Sequence, residues 1–179
     1  MKTKNLFLRT AAFFAALFLL LPLANAFTVE ISQATLQDKI SKAMPYEAKK
    51  HFVTVRLSDP VLELVGTAGR VRITVKVDVI APGNVIQSGR AKISGMVDYD
   101  ATKGAVYLRK AEIEELTIEK LPEKLQPTVK TVAQLAAEQV LGRTPVYTFK
   151  DDLKSGIVKR LLKSINVRGT NLLLEFGLF

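Results

Sequence analysis

The chain has 179 residues, no cysteine and one histidine, and its formal net charge is +9. The absence of cysteine excludes disulfides and a thiol nucleophile, and one histidine excludes an ordinary zinc site of histidine and cysteine ligands. Because the N-terminal segment indicates export, the positive charge favours anionic lipid head groups over nucleic acid as a partner, and a solubilising surface charge is the alternative.

Residues 1–26 show the three parts of a cleavable secretory signal. Lys2, Lys4 and Arg9 precede an apolar run at 11–21, and Ala24-Asn25-Ala26 supplies the cleavage site. The run spans ~16 Å, about half a bilayer core, so an uncleaved anchor is the weaker alternative. We therefore predict a single periplasmic domain over residues 27–179, with no cysteine at the cleavage site to carry a lipid anchor.

A strand and a helix are predicted first in this domain. Residues 27–31 alternate in polarity, which is typical of a strand. Ser32 is a favoured N-cap, and Leu36 and Ile40 follow at helical spacing until Pro45 ends the pattern.

Between His51 and Lys120 the hydrophobic period changes to two, which predicts antiparallel strands with one buried face. The segment Arg70–Ile80 is the clearest, because its odd-numbered residues after 70 are all valine or isoleucine. The predicted strands are 53–57, 61–65, 70–80, 86–99 and 105–120, with turns at Asp59-Pro60, 66–69, 81–84 and 100–104.

The last of these strands does not keep one phase. Val106 and Leu108 share a face, Ile113 lies on the other, and Leu116 and Ile118 return to the first. Two phase changes in one strand predict β-bulges and a sharply bent sheet.

Helices and a hairpin are predicted in the C-terminal third. Pro122 suits a helix start, Gly142 is a common helix stop, and the acidic pair Asp151 and Asp152 suits the start of a third helix. The apolar stripe of the long helix, 122–141, is Leu125, Val129, Val132, Ala136 and Val140. A short strand is predicted at 145–149, before the third helix, whose apolar stripe is Leu153, Ile157, Leu161 and Leu162, with Lys163 on its polar side. Two further strands, 165–168 and 171–179, form a hairpin that turns at Gly169-Thr170.

Together these elements predict an α+β fold in which a highly curved antiparallel sheet wraps around the long helix, with two further helices. We expect an elongated apolar channel between them, partly unfilled near Ala91, Gly95 and Ala136. For the small residues Gly89, Ala91 and Gly95 themselves, close packing of a helix backbone is the favoured interpretation, and a space that something else fills is the alternative. The predicted ligand-binding groove comprises Val71, Ile73, Val75, Val77, Ala91, Ile93, Gly95, Val129, Val132, Ala136, Leu172, Leu174 and Phe176.

The sequence offers little chemistry. His51 is a lone histidine at a strand start, and Asp98 and Asp100 lack the further oxygen ligands of a calcium loop. No nucleophile motif or phosphate-binding loop is present. An acidic group alternates along the bent strand, where a solvent-exposed face is the ordinary explanation, so we predict no catalytic residues, metal or cofactor. This acidic group is Glu112, Glu114, Glu115 and Glu119.

Three motifs carry a resemblance to a known family: residues 100–108 (DATKGAVYL), 143–149 (RTPVYTF), and 165–167 with 172–176 (INV and LLLEF). With the order of elements, they resemble the YceB-like family of bacterial envelope lipoproteins along essentially the whole domain. That family is similar in fold to the tubular lipid-binding (TULIP) superfamily, which implies lipid or apolar-ligand binding and no catalytic residues. It is anchored through an N-terminal cysteine, and this chain has Ala26-Phe27 instead, which favours a soluble carrier.

Two hypotheses for the function remain open. The first is a periplasmic binding protein that holds a lipid or other apolar ligand between the long helix and the curved sheet. Basic residues near the opening would favour ligands with anionic head groups. The second is an envelope interaction or structural module whose core is filled. An inward apolar face has the same sequence pattern in both cases.

Overall fold

The computed structural model describes residues 27–66, 69–81, 86–149 and 162–177. The predicted signal segment and the third predicted helix up to residue 161 lie outside the described residues. The elements are β1 (Phe27–Ser32), α1 (Gln33–Lys42), β2 (Tyr46–Lys50), β3 (Val53–Val65), β4 (Arg70–Ile80), β5 (Ile86–Asp100), β6 (Ala105–Ile118), a 3-10 helix (Glu123–Leu125), α2 (Gln126–Arg143), β7 (Tyr147–Thr148), β8 (Leu162–Arg168) and β9 (Asn171–Phe176).

The described residues form an α+β fold with two antiparallel sheets and two α-helices. The larger sheet has six strands in the order β2-β3-β4-β5-β6-β7, so the chain runs across it as successive neighbours. The smaller sheet has the order β1-β9-β8 and joins the first strand of the domain to the last. The coarse α+β prediction is therefore confirmed.

Helix α1 begins where the sequence predicts. The Ser32 hydroxyl accepts a hydrogen bond from the Thr35 backbone N–H at 3.2 Å, and Leu36 and Ile40 are buried. Gln37 on this helix binds β3, because its amide donates to the Pro60 carbonyl at 2.6 Å and accepts from the Leu62 N–H at 2.8 Å. Helix α1 thus supplies hydrogen bonds to β3 beyond the segment that pairs with β2.

The strand β4 matches its prediction in bounds and in orientation. Val71, Ile73, Val75, Val77 and Val79 are each at most 1% exposed and point into the core. Their alternation with polar residues is therefore the pattern of a sheet that is buried on one face.

The predicted turn at Asp59-Pro60 is wrong: these residues form a β-bulge inside one continuous strand, β3. Ser58 pairs with Lys76 and Val61 with Thr74, so two residues of β3 oppose one residue of β4. Asp59 has a φ of +50°, in the left-handed region that turns and bulges share. The bulge reverses the side-chain phase, which leaves Val61 57% exposed.

The bulges predicted in the next long hairpin are confirmed. The pairing of β5 with β6 shifts twice, between Lys92 and Ile93 and between Ser94 and Met96. Across the first shift, Lys92 pairs with Glu115 and Ile93 with Ile113. Each shift inserts one extra residue in β6, and this residue returns the apolar side chains on either side of it to the buried face. The apolar residues opposite the inward positions of β5 are consequently Leu108, Ile113, Leu116 and Ile118.

Helix α2 begins at Gln126, after the 3-10 helix, rather than at the predicted Pro122, so Leu125 of the predicted stripe lies outside it. It extends to Arg143, so Gly142 lies within its last turn rather than ending it. Its described backbone lies close to β2, β3 and β6. Leu162 and Lys163, predicted on the third helix, belong instead to β8, where Leu162 pairs with Phe176. The buried residues of α2 are Val129, Val132, Ala133, Ala136, Ala137, Val140 and Leu141.

Four aromatic rings join the two sheets. Tyr99 of β5 and Phe149 after β7 each contact Phe176 of β9 edge-to-face, with ring centroids 5.5 and 5.6 Å apart, and Tyr147 extends the group through Phe149 at 5.2 Å. Edge-to-face pairs stabilise a core beyond the area that they bury.

No helix among the described residues is long and apolar enough to span a lipid bilayer.

Candidate functional site

The thirteen residues predicted to line an apolar groove are all buried, and twelve of them belong to one continuous apolar core. They come from β4, β5, α2 and β9, so the fold brings distant parts of the chain together. The thirteenth, Gly95, is buried on β5. Burial in a common core is expected both for a filled interior and for an interior that holds a ligand.

The predicted small-residue face has two different explanations. A Cβ atom on Gly89 would lie 2.0 Å from the Thr117 carbonyl oxygen, so the backbone of β6, and not a helix, approaches this position. A Cβ atom on Gly95 would lie 3.6 Å from the Arg109 carbonyl oxygen and 3.8 Å from the Leu108 Cβ, which are ordinary contacts. Gly89 is therefore required by strand packing, whereas Gly95 has room for a methyl group.

A cleft of about 360 Å³ opens where the first turns of α2 meet the end of β6. We call it the α2–β6 cleft. Its volume lies at the lower end of the range for small-molecule sites. Half of its lining is apolar, and these apolar side chains also pack against the main core. The lining residues are Ile113, Leu116, Ile118 and Leu121, with Glu114, Thr117, Gln126 and Lys130.

Gln134 closes the seam between α2 and β6 beyond this cleft. Its side-chain amide donates to the Ala111 carbonyl at 2.6 Å, and its oxygen accepts from the Ile113 N–H at 3.1 Å. The helix thereby satisfies a backbone donor and acceptor of β6 beside the bulges. A second depression, of about 260 Å³, lies on the far side between residues 108–111 and the last turns of α2.

Replacing Gln134 with alanine is expected to destabilise the protein by about 1–3 kcal/mol, because both backbone groups of β6 lose their partner. Chemical denaturation measures this difference, and Thr131→Ala, at an exposed position of the same helix, is the control. A change equal to the control would mean that water replaces the glutamine at no cost.

The charges around the cleft are unequal. Glu114 lies 3.1 Å from Arg72, and this hydrogen bond, with the positive charges of Arg72 and Arg70, holds the pKa of Glu114 below its usual value. Lys130 is exposed and has no carboxylate within 4.0 Å among the described residues. The carboxylate is thus neutralised while the lysine is not, which favours an anionic group at the rim.

The remaining polar candidates have structural partners. Glu115 pairs with Lys92 at 2.6 Å and Asp98 with Arg109 at 2.9 Å. Asp100 accepts hydrogen bonds from the Thr102 hydroxyl at 2.6 Å and from the backbone N–H groups of Thr102 and Lys103, and the hydroxyl is the main cause of the lowered pKa of Asp100. Among the described residues, no three metal-binding side chains converge.

His51 is exposed at the turn between β2 and β3, with a φ of +56°. It lies beside a shallow depression of about 230 Å³ that is shared with Lys50 and the first turns of α2. The other side chains of this depression are those of Lys50, Pro127, Thr128 and Thr131, and His51 belongs to no group of three metal-binding side chains among the described residues.

A larger depression, of about 1040 Å³, lies around the bulge of β3 and the neighbouring strands β4, β5 and β6. Its rim carries Lys76, Arg90, Lys92, Glu115 and Glu119. The stems of such side chains contribute apolar surface, but their charged ends remain in water. We therefore place the candidate site for an apolar ligand at the smaller α2–β6 cleft.

A family model described as "Protein of unknown function (DUF1439)" matches residues 31–170. The match takes in every described element from α1 to β8, including the whole cleft. The chain belongs to this family. Curated relatives of this DUF1439 chain include the "Uncharacterized lipoprotein YceB" of Salmonella typhimurium (strain LT2) and that of Escherichia coli (strain K12). Each is 26% identical over 92 residues, covering 49% of this chain and 48% of the relative.

The predicted YceB-like membership is thus confirmed. The chain matches about half the length of these curated relatives. The cleft residues were missed as a site from sequence, because the phase changes of β6 separated Ile113 from Leu116 and Ile118. The change of phase between Ile113 and Leu116 is the signal that could have identified them, because a bulge at this point places all three side chains on the core face.

Proposed function

We propose that this protein binds a lipid or another apolar ligand between α2 and the six-stranded sheet, with the α2–β6 cleft as the entrance. The observation that carries the proposal is the continuity of the cleft with the core, since Ile113, Leu116, Ile118 and Leu121 contribute to both. Burying six methylene groups there would contribute about 5 kcal/mol. Lys130 at the rim suits a carboxylate or phosphate head group.

The contacts of α2 support a curved sheet of the TULIP-like kind. The helix backbone lies closer to β3 and β6 than to β4 and β5, which separate them. In a flat sheet β3 and β6 would lie about 14 Å apart, which exceeds the helix diameter of about 10–12 Å. A sheet that bends toward the helix on both sides accounts for these contacts, and the bulges of β3 and β6 supply local bends.

We also propose that the protein works in the bacterial envelope, at the periplasmic side. The names of the relatives describe lipoproteins, and residues 1–26 have the pattern of an export signal. N-terminal sequencing of the exported protein is expected to begin at Phe27. A product that retains Met1 in the membrane fraction would contradict cleavage.

A specific observation favours the alternative, an envelope interaction or structural module with a filled core. Val132, Ala133 and Ala136 on the inner side of α2 are 0% exposed, as in close packing of a helix on a sheet. Neither proposal requires catalysis by the protein.

Substitution of Ala136 by leucine separates the two proposals. If the interior accommodates a ligand, the larger side chain takes up ligand space, so the melting temperature changes little and binding of a fluorescent fatty acid falls. In a filled core the same change costs about 1–3 kcal/mol. Thermal melts and a fatty-acid titration on the same samples measure both effects. A strongly destabilised variant, with no binding by the parent protein, would favour the interaction module.

A further inference from the structure

One end of the large sheet gathers several turns beside the start of α2. Antiparallel pairing places Lys50 opposite Val53, Thr54 opposite Ile80, and Gly89 opposite Ile118. The β2–β3 turn, the end of β4 and the end of β6 are therefore at one end. Lys50 and His51 share a depression with residues 127, 128 and 131 of α2, so the start of the helix lies there too.

This end carries exposed lysines without ion pairs. We call it the basic end and define it by Lys49, Lys50, Lys120, Lys124 and Lys130, together with Phe52. All five lysines are exposed, and none has a carboxylate within 4.0 Å among the described residues. Two exposed carboxylates, Glu119 and Glu123, lie in the connection between β6 and α2. The five lysines outnumber these two acidic residues, so the net charge of the basic end is positive.

The basic residues along the strands are mixed: Arg70, Arg90 and Lys110 have no carboxylate within 4.0 Å among the described residues, whereas others are paired. Arg72, Lys92 and Arg109 lie 3.1, 2.6 and 2.9 Å from Glu114, Glu115 and Asp98, respectively. Their positive charges are therefore compensated locally. The basic end differs from the strands because five unpaired lysines gather there around an exposed phenylalanine, which makes it complementary to an anionic surface.

An exposed aromatic ring lies among these lysines. Phe52, in the two-residue turn between β2 and β3, is 55% exposed. An exposed aromatic side chain in a turn, with lysines nearby, has the chemistry of a segment that enters the head-group region of a bilayer.

We propose that the basic end docks the protein onto an anionic lipid surface, with Phe52 entering the head-group layer. This inference deepens the proposed function and rests on it for its purpose, because Leu121 and Lys130 of the cleft rim are at this end. Docking would turn the cleft entrance toward the membrane from which a lipid leaves or to which it returns. Docking itself needs no ligand inside the protein, so it can be tested separately.

The chain contains no tryptophan, so a single Phe52→Trp substitution gives a reporter at the docking turn. On addition of vesicles of phosphatidylglycerol and phosphatidylcholine, its emission is expected to shift to the blue and to be quenched by brominated acyl chains. Vesicles of phosphatidylcholine alone should cause neither effect. Val61→Trp is the matched control, since Val61 is 57% exposed but lies on β3 in the large depression. Equal shifts at both positions, or none at Phe52, would overturn the proposal.

Charge removal tests the same surface. Lys49→Gln with Lys50→Gln is expected to weaken binding to the anionic vesicles about 30-fold, which is about fivefold per lysine. The control pair, Lys39→Gln with Arg168→Gln, removes the same charge from α1 and β8 and should leave binding within about threefold. Equal losses in both pairs would show a net-charge effect and contradict a defined docking end. If vesicles bind as expected while no lipid co-purifies, the proposed function fails and docking stands.

Discussion

Replacing Phe176 with alanine is expected to lower the free energy of unfolding by about 3–5 kcal/mol. Phe176 is 1% exposed, and its ring contacts those of Tyr99 and Phe149. It also lies on β9, the central strand of the smaller sheet, so its removal leaves a cavity where the two sheets meet. Chemical denaturation with a spectroscopic signal for the folded state measures the loss.

Phe52→Ala is the matched control for this experiment, because the same side chain is removed from an exposed turn. Its cost should stay within about 0.5 kcal/mol. A loss below about 1 kcal/mol for Phe176→Ala would contradict the role assigned to the aromatic group.

Replacing Leu121 with glutamine is expected to weaken binding of an apolar ligand about tenfold. Leu121 is half-buried, lies in the connection after β6 and lines the α2–β6 cleft. A polar side chain there removes about half of the contact that a fully buried leucine provides. Titration with a fluorescent fatty acid, at protein concentrations below the dissociation constant, measures the change.

Leu125→Gln is the matched control, since Leu125 is half-buried in the neighbouring 3-10 helix but does not line the cleft. Both substitutions should have a similar effect on stability, and only Leu121→Gln should reduce affinity. Equal affinities in the two variants would remove the cleft from the binding site.

The elements that could be predicted from sequence are those specified by neighbouring residues. The alternation in Arg70–Ile80 defined β4, Ser32 defined the start of α1, and the phase changes of β6 indicated its bulges. Strand β2 was missed, because Ala48 is the buried residue among the charged ones that surround it. Asp59-Pro60 was interpreted as a turn, because turns and bulges that contain a left-handed residue favour the same residue types.

Long-range arrangement could not be predicted in the same way. The pairing of β1 with β9 joins residues that are more than a hundred positions apart, and no local pattern specifies it. The sequence pattern does not distinguish Gln134 from other polar helix residues, because its two hydrogen bonds to β6 depend on long-range packing. The thirteen residues predicted to line a groove are buried, and their role as a groove stays a prediction, whereas the cleft depends on how α2 meets β6.

Native mass spectrometry of the exported protein, purified without detergent and followed by solvent extraction, tests lipid binding most directly. We expect a population whose mass exceeds that of the polypeptide by one lipid, and the same lipid in the extract. Leu121→Gln should reduce this population relative to Leu125→Gln. A protein that shows only the polypeptide mass, even after incubation with phosphatidylglycerol vesicles, and yields no lipid on extraction would contradict lipid binding.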